Sequence, residues 1–148
     1  MSQSLANILV HLIFSTKHRE PWIHDEIRPR LNAYVVGILA NHQSPSVATN
    51  SVEDHMHILL ALSKNYSVAK IVEEIKTDSS SWMKSQGVRG FRWQNGYGAF
   101  SIGQSQVMMV KKYIARQEEH HRKVSFQEEF RRFLERYQVK CDERYVWD

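Results

Sequence analysis

The chain has 148 residues, of which 42% are hydrophobic and 24% charged, with six glycines and three prolines. This composition excludes a disordered chain, a collagen and a low-complexity polymer, and the length suits a single domain over 1–148. Its apolar runs are far shorter than the roughly 20 residues of a membrane span, so no membrane association is expected. The first residues lack a secretory signal, and the single cysteine, Cys141, excludes an internal disulfide, so we expect a cytoplasmic protein.

The charge is unevenly distributed along the chain. Twenty Lys and Arg against sixteen Asp and Glu give a formal net charge of +4. Most of the excess lies in residues 111–123, where five basic and two acidic side chains accompany His120 and His121. Such a run is more often a solvated helix face than a binding site, so the charge indicates a local basic patch and no more.

Hydrophobic spacing divides the chain into strands and amphipathic helices. Pro29 is tolerated only in a first helical turn, Ser67 is a good N-cap, and Ser125 with Glu128 forms a capping box. The predicted elements, in chain order, are strand 5–16, a helix from about 25–28 to 41, strands 47–52 and 55–62, a helix from 68 to before Gly87, strand 99–102, a helix over 104–119 and a helix over 125–138.

The order strand–helix–strand–strand–helix–strand is typical of an α+β, ferredoxin-like split βαβ sandwich, in which two helices cover one face of an antiparallel sheet. We expect the sheet and its two helices within about residues 4–102, followed by extra C-terminal helices. The other face of the sheet must be covered by those extra helices, by a partner subunit or by a ligand. The aromatic tail 141–148 is expected to dock on the domain.

Residues 54–59 read Asp-His-Met-His-Ile-Leu. Since residues two apart on a strand point to the same face, His55 and His57 lie side by side while Met56 and Ile58 point into the core. Two neutral imidazoles in this arrangement can bind a divalent cation. A bare His-x-His pair is nevertheless common by chance, and taken alone it is better explained as two polar-face residues.

The third predicted helix carries a second candidate group. Tyr113 and Gln117 are four residues apart and share one helix face. A tyrosine hydroxyl can act as a nucleophile when a metal or nearby cations stabilise its phenolate. Lys111, Lys112 and Arg116 beside it suit an anionic substrate such as a phosphodiester. Taken alone, Tyr113 is better explained as a packing residue of an amphipathic helix.

Two further segments are candidate nucleic-acid contacts. Trp93 and the glycine-containing run around Tyr97 could stack unpaired bases, or they could be turn aromatics that fill the core. Lys17 and Arg19, directly after the first strand, are candidate phosphate contacts or residues of a polar turn. The sequence has no P-loop, dinucleotide fingerprint, Cys-x-x-Cys pair or Gly-x-Ser-x-Gly elbow, so no nucleotide cofactor is expected.

Together these motifs resemble those of the small single-tyrosine HUH transposases of bacterial and archaeal insertion sequences. These are the IS two-hundred type, including the repeat-associated tyrosine transposases, and HUH denotes His-hydrophobic-His. Each matching piece alone is weak evidence, whereas five in the expected order over nearly the whole chain are specific. The pieces are residues 11–19 (HLIFSTKHR), 54–59 (DHMHIL), 93–101 (WQNGYGAFS), 110–123 (VKKYIARQEEHHRK) and 142–148 (DERYVWD).

The resemblance implies that Tyr113 attacks DNA, that His55 and His57 are metal ligands and that Gln117 completes the metal site. It implies Mg²⁺ or Mn²⁺ as the cofactor, single-stranded DNA with hairpin ends as the substrate, and a homodimer. The reaction it implies cuts and rejoins single-stranded DNA at insertion-sequence ends through a 5′-phosphotyrosine. His11 matches a family position and is given a supporting structural role, and no residue is identified as a general base.

Two other functions fit parts of the sequence. One is a non-catalytic nucleic-acid-binding module of the same fold, a decayed or domesticated relative. Retention of Tyr113 together with all three candidate ligands favours catalysis over that alternative. The other is a replication-initiator or relaxase nuclease, which usually carries extra domains for which 148 residues leave no room.

Overall fold

The structure is a computed structural model and describes residues 2–148. Its four strands form one antiparallel sheet in the order β2-β3-β1-β4, so the predicted α+β, ferredoxin-like split βαβ sandwich is confirmed. No helix in this described range is long and apolar enough to cross a membrane. The elements are β1 (Leu9–Ser15), α1 (Arg28–Asn41), β2 (Ser46–Ser51), β3 (His55–Ala61), α2 (Val68–Ser85), β4 (Gly98–Ile102), α3 (Val107–Ala115), α4 (Gln117–His120) and α5 (Phe126–Arg136), with short 3-10 turns at Lys17–Arg19 and Gln104–Gln106.

One face of the sheet is apolar and is covered by α1 and α2. From β3 it takes Met56, Ile58 and Leu60, which are all buried, as the alternation along this strand predicts. The starts of the two helices also follow the sequence. Pro29 lies in the first turn of α1, and the Ser67 hydroxyl accepts the hydrogen bond that caps α2.

The other face is covered by the C-terminal helices. Of the three covers considered above, which were these helices, a partner subunit or a ligand, the structure shows the helices. The packed side chains of α5 meet the central and edge strands in one apolar cluster, and Ile114 of α3 joins a second cluster at the far ends of the strands. The first cluster consists of Ile13, Phe100, Phe126, Phe130 and Leu134.

Helix α5 approaches the sheet most closely at Gly98 of β4. The strand register places His57, Ile13 and Gly98 in one row across β3, β1 and β4. A Cβ atom at position 98 would lie only 2.5 Å from Cε2 of Phe130. Any other residue at position 98 would therefore force the Phe130 ring to shift, and glycine lets this ring lie directly over the row that contains His57.

The C-terminal tail docks on the domain as expected. The carbonyl oxygen of Asp148 accepts hydrogen bonds from the backbone N–H groups of Asn95 (2.7 Å) and Gly96 (3.0 Å). The Trp147 ring lies against Phe126 and Phe130. The tail thereby connects the loop before β4 with α5.

Strand β1 is shorter than predicted, and strand β2 is shifted by one residue toward the N-terminus. Strand β1 begins at Leu9 and not at residue 5, because Leu9 pairs with Ala61, the last residue of β3. Strand β2 covers Ser46–Ser51 in place of 47–52, because the Val52 N–H donates to the His55 carbonyl oxygen within the turn that joins β2 to β3.

The prediction of one continuous helix over 104–119 is wrong, because the chain leaves helical geometry at Arg116 (φ −100°, ψ 18°). Two carbonyl oxygens just before the break accept from side-chain amides. The Tyr113 carbonyl accepts from Gln117 Nε2 (3.2 Å), and the Ile114 carbonyl accepts from Asn50 Nδ2 (2.8 Å). These carbonyls would otherwise accept from the N–H groups four residues on, so the side chains end α3 and allow α4 to start in a new direction.

Trp93 fills the core and does not offer a stacking surface. Its indole N–H donates to Ser79 Oγ (2.9 Å), and its ring meets Phe14 and Phe91 edge to face. Tyr97 is partly exposed, so it alone of this aromatic pair is open to a base.

Candidate active site

Strand β3 presents His55 and His57 to the face beneath α5, and both side chains are fully buried. Their ring centroids are 5.3 Å apart, so the predicted side-by-side placement is found. His11, on the neighbouring strand β1, lies next to them, with its Nε2 atom 2.9 Å from His57 Nδ1. Three imidazoles therefore lie together on the face of the sheet that would otherwise be apolar.

Two imidazoles of the site are each anchored through one ring nitrogen. His55 Nδ1 lies 2.7 Å from Asp54 Oδ1, and His121 Nδ1 lies 2.6 Å from the Val124 carbonyl oxygen. Because carboxylate and carbonyl oxygens only accept hydrogen bonds, we assign the protons to these two nitrogens. When both rings are neutral, the lone pairs on Nε2 of His55 and His121 face each other across 2.9 Å.

Glu129 of α5 brings a carboxylate into the same place and is only 2% exposed. Its Oε1 atom lies 2.8 Å from His57 Nε2 and 3.5 Å from His55 Nε2. Its Oε2 atom lies 3.2 Å from His121 Nε2. One ligand atom from each of these four residues can be chosen so that all lie within 4.8 Å of one another, which is close enough for one metal ion.

Tyr113 and Gln117 reach this cluster from α3 and α4. The Tyr113 hydroxyl donates to Glu129 Oε2, and its ring centroid is 5.7 Å from that of His57. Gln117 is buried and donates through Nε2 to the Tyr113 carbonyl, which turns its Oε1 atom toward His121 Nε2 at 2.9 Å. Tyr113 and Gln117 thus both contact the histidine–carboxylate cluster within one protomer.

Burial dominates the electrostatics of the site. It lowers the pKa of His57 to about 4 and that of His11 to about 3. Burial also acts on His55, but hydrogen bonds to carboxylates outweigh it and raise the pKa of this ring. Although burial opposes its ionisation, the surrounding imidazoles hold the pKa of Glu129 well below its usual range. Burial and the Glu129 carboxylate raise the pKa of the Tyr113 phenol, which is therefore neutral near pH 7.

Basic side chains surround the phenol where it opens to solvent. One groove of about 640 Å³ is lined by Tyr113 together with Lys112, Arg116 and Arg132. A second, of about 300 Å³, runs along α5 past Arg132 and Arg136. An anionic chain in either groove would lie beside the tyrosine hydroxyl.

The predicted DNA contacts do not all lie in these grooves. Lys112 and Arg116 line the groove beside Tyr113, and Lys111 is exposed on the same helix, α3. Arg19 instead lines a separate groove of about 560 Å³, on the side of the site that His121 faces. Lys17 is half-buried in the 3-10 turn after β1.

Sequence reasoning missed Glu129 as a site residue, and it gave His121 only a place in the basic run. A signal for Glu129 was present, because an acidic residue interrupts the apolar stripe that Phe126, Phe130 and Phe133 form on α5. A carboxylate on a buried helix face needs partners of opposite charge or donors, and this is a reason to look for a site. Nothing in the spacing indicates that its partners lie on β3.

Comparisons with known proteins agree with this architecture. The family model described as "Transposase IS200 like" matches residues 4–117. A crystal structure from Deinococcus radiodurans R1, described provisionally as a transposase, has a TM-score of 0.62 at 22% identity and covers 79% of this chain and 98% of that chain. A REP-associated tyrosine transposase bound to a REP hairpin has a TM-score of 0.61 at 15% identity, covering 82% of this chain and 74% of that chain. At these identities the two structures establish the shared fold, and no curated protein matches the chain.

Proposed function

The chain belongs to the family of IS200-like transposases, and on this basis we propose that it cuts and rejoins single-stranded DNA at insertion-sequence ends through a 5′-phosphotyrosine. The observation that carries the proposal is the position of the Tyr113 hydroxyl, which donates to Glu129 beside the buried His55 and His57. A nucleophile, a set of cation ligands and basic grooves in one place are what transfer of a phosphodiester requires.

We assign the metal site to His55, His57 and Gln117, with Mg²⁺ or Mn²⁺ as the ion. The donor set fits a cation, because His55 Nε2 and Gln117 Oε1 both present lone pairs toward the same cluster. When bound, a divalent ion supplies a Lewis acid that polarises the scissile phosphate and offsets its charge.

The reaction follows from the nucleophile. The Tyr113 oxygen forms a bond to the phosphorus, the bond from phosphorus to the 3′ oxygen breaks, the phenolic proton leaves and the departing 3′ oxygen takes up a proton. The phosphotyrosine conserves the energy of the bond, so a second 3′-hydroxyl can displace the tyrosine without a nucleotide cofactor. Because the pKa of Tyr113 is raised, its ionisation depends on positive charge nearby, and Arg132 lies in the groove that the phenol lines.

We propose that the DNA backbone is held by five basic residues, three of them on or next to α3 and two in the 3-10 turn after β1, and that the substrate is single-stranded DNA with hairpin ends. The REP hairpin bound to the structurally similar REP-associated tyrosine transposase supports that choice of substrate. Homodimer formation and a cytoplasmic location stay predictions. The five residues are Lys17, Arg19, Lys111, Lys112 and Arg116.

The test is formation of a covalent adduct with single-stranded oligonucleotides tiled across the flanks of the coding region, in Mg²⁺ or Mn²⁺, read on a denaturing gel. Tyr113→Phe is expected to abolish the adduct and to leave DNA binding intact. Tyr145→Phe, at a position that is 64% exposed, is the matched control and is expected to form the adduct normally.

An adduct that persists in Tyr113→Phe would contradict the assignment of the nucleophile. Binding of a tiled oligonucleotide by the unsubstituted protein, without any adduct in either metal, would instead support the non-catalytic binding module.

A further inference from the structure

We propose that Glu129 and His121 are direct ligands of the metal ion together with His55 and His57. The ion is then held between β3 and the C-terminal part of the chain. This inference deepens the proposed function and rests on it. Both added ligands lie beyond residues 4–117, the range that the family model matches, so the family match does not assign them.

The first argument is the orientation of the lone pairs. In the neutral rings that a metal ion requires, Val124 and Asp54 hold the protons of His121 and His55 on the outer nitrogens, so both inner Nε2 atoms are acceptors, 2.9 Å apart. The Gln117 oxygen faces His121 Nε2 at 2.9 Å, and a Glu129 oxygen faces it at 3.2 Å. Acceptors that converge in this way repel one another unless a cation lies among them. A divalent ion satisfies all of them, whereas one proton satisfies a single pair.

The second argument is the outer shell of the cluster. Metal-ligating histidines usually donate their second ring N–H to a carboxylate, a backbone carbonyl or water, which orients the ring and raises its basicity. Asp54 serves His55 in this way, and the Val124 carbonyl serves His121. Two of the three imidazoles therefore have the outer contact that is typical of a ligand, and His11 Nε2, 2.9 Å from His57 Nδ1, takes that place for the third.

The third argument is charge. Glu129 is 2% exposed, and its oxygens lie 2.8 Å from His57 Nε2 and 3.2 Å from His121 Nε2, so it places a carboxylate at the centre of the cluster. A buried carboxylate is favourable only when it is paired or bound to a cation. One of its oxygens faces His57 and His55, and the other accepts from Tyr113. The same carboxylate thus joins the metal cluster to the nucleophile.

The ligand set also determines which ion is preferred. Three imidazoles together with one carboxylate and the Gln117 amide oxygen suit a transition metal, whereas Mg²⁺ prefers oxygen ligands only and retains several waters. We therefore expect the metal-free protein to bind Mn²⁺ at least about tenfold more tightly than Mg²⁺.

The experiment is isothermal titration calorimetry of the full chain, stripped of metal with EDTA and dialysed, with Mn²⁺ and separately with Mg²⁺. Glu129→Gln keeps the shape of the side chain and is expected to weaken Mn²⁺ binding by about tenfold or more. Glu135→Gln, at an exposed position of the same helix, is the matched control and is expected to stay within about twofold of the unsubstituted protein.

His121→Asn, at a less buried position, is the second variant and decides the question if Glu129→Gln does not fold, as judged by circular dichroism. It is expected to weaken Mn²⁺ binding to a similar extent. Mn²⁺ affinity that stays within about twofold in a folded Glu129→Gln or His121→Asn would overturn the inference, and so would equal affinity of the unsubstituted protein for Mn²⁺ and Mg²⁺.

The outcomes separate this inference from the proposed function. If Mn²⁺ binding depends on Glu129 but the protein never forms a DNA adduct, the proposed metal site stands and the proposed function does not. If the protein forms a Tyr113-dependent adduct but substitution of Glu129 and His121 leaves its Mn²⁺ affinity unchanged, the proposed function stands and these two residues are not metal ligands.

Discussion

The two faces of one sheet differ more in chemistry than in burial. On β3, Met56 and Ile58 face α1 and α2, whereas His55 and His57 face α5, and all four side chains are fully buried. The first face is held by apolar packing, which is non-directional. The second combines apolar packing under α5 with contacts of imidazoles to carboxylate and carbonyl oxygens, which require fixed partners.

This difference indicates a division of labour within a single strand. Packing on the apolar face stabilises the fold independently of pH and metal. On the polar face, the burial of ionisable groups has a cost in folding free energy. Such a cost is usually offset by partners or by a bound cation, and it concentrates at functional sites. The comparison predicts that metal and acid will change the effect of a substitution on the free energy of unfolding differently for the two faces.

The largest expected effect is on the apolar face. Ile58→Ala removes a fully buried side chain from the core and is expected to lower the free energy of unfolding by about 2–5 kcal/mol. In urea unfolding, the loss of unfolding free energy should be the same in the presence of Mn²⁺ and in the presence of EDTA, because Ile58 lies on the face away from the histidines. Leu5→Ala, at a position 87% exposed, is the control. A loss for Ile58→Ala that disappears on adding Mn²⁺ would break the comparison.

The second prediction concerns acid and the polar face. Burial lowers the pKa of His57 to about 4 and of His11 to about 3, so the unfolded chain, with a pKa of about 6.5, takes up protons first as the pH falls. The contribution of these rings is fully present above pH 6.5 and is lost toward pH 3–4. The slope approaches about 1.4 kcal/mol per pH unit for each proton.

His11→Gln, measured without metal, should therefore show a shallower loss of stability between pH 6.5 and 4 than the unsubstituted protein. The raised pKa of His55 acts in the opposite direction in both proteins and cancels in the difference. His24→Gln, at an exposed position, is the control. Identical slopes for His11→Gln and the unsubstituted protein would show that the His11 ring is not held neutral by burial.

The smallest expected effect is at the junction of α3 and α4. Asn50→Ala removes the amide that donates to the Ile114 carbonyl and is expected to cost about 1 kcal/mol of unfolding free energy. Asn95→Ala, whose side chain is exposed, should stay within about 0.5 kcal/mol. No loss for Asn50→Ala in thermal or urea unfolding would mean that the helix break does not depend on this contact.

The sequence predicts those parts of the molecule that follow local rules. The alternation along β3 gives both the core residues and the histidine pair, and Ser67 and Ser125 begin the helices that they were expected to begin. The break at residue 116 does not follow from local rules, because it depends on Asn50, which is 64 positions from its acceptor.

The candidate site was predictable only in part for the same reason. His55, His57, Tyr113 and Gln117 belong to short motifs whose spacing suggests their chemistry. Glu129 belongs to no motif, and its partners His57 and His55 lie 72 and 74 positions earlier in the chain and meet it only after α5 packs on the sheet. The position of such a side chain is determined by tertiary packing, although an acidic residue within the apolar stripe of a helix indicates a candidate site.

Gly98 has a consequence beyond local packing. It bears no functional group, yet it lies in the strand row of His57 and beneath Phe130, the residue next to Glu129. A methyl group added there would lie 2.5 Å from Cε2 of Phe130, so that ring or the helix that carries it would have to shift. Because Phe130 is the neighbour of Glu129, we expect Gly98→Ala to disturb the distance between the carboxylate and the imidazoles while every reactive group keeps its chemical identity.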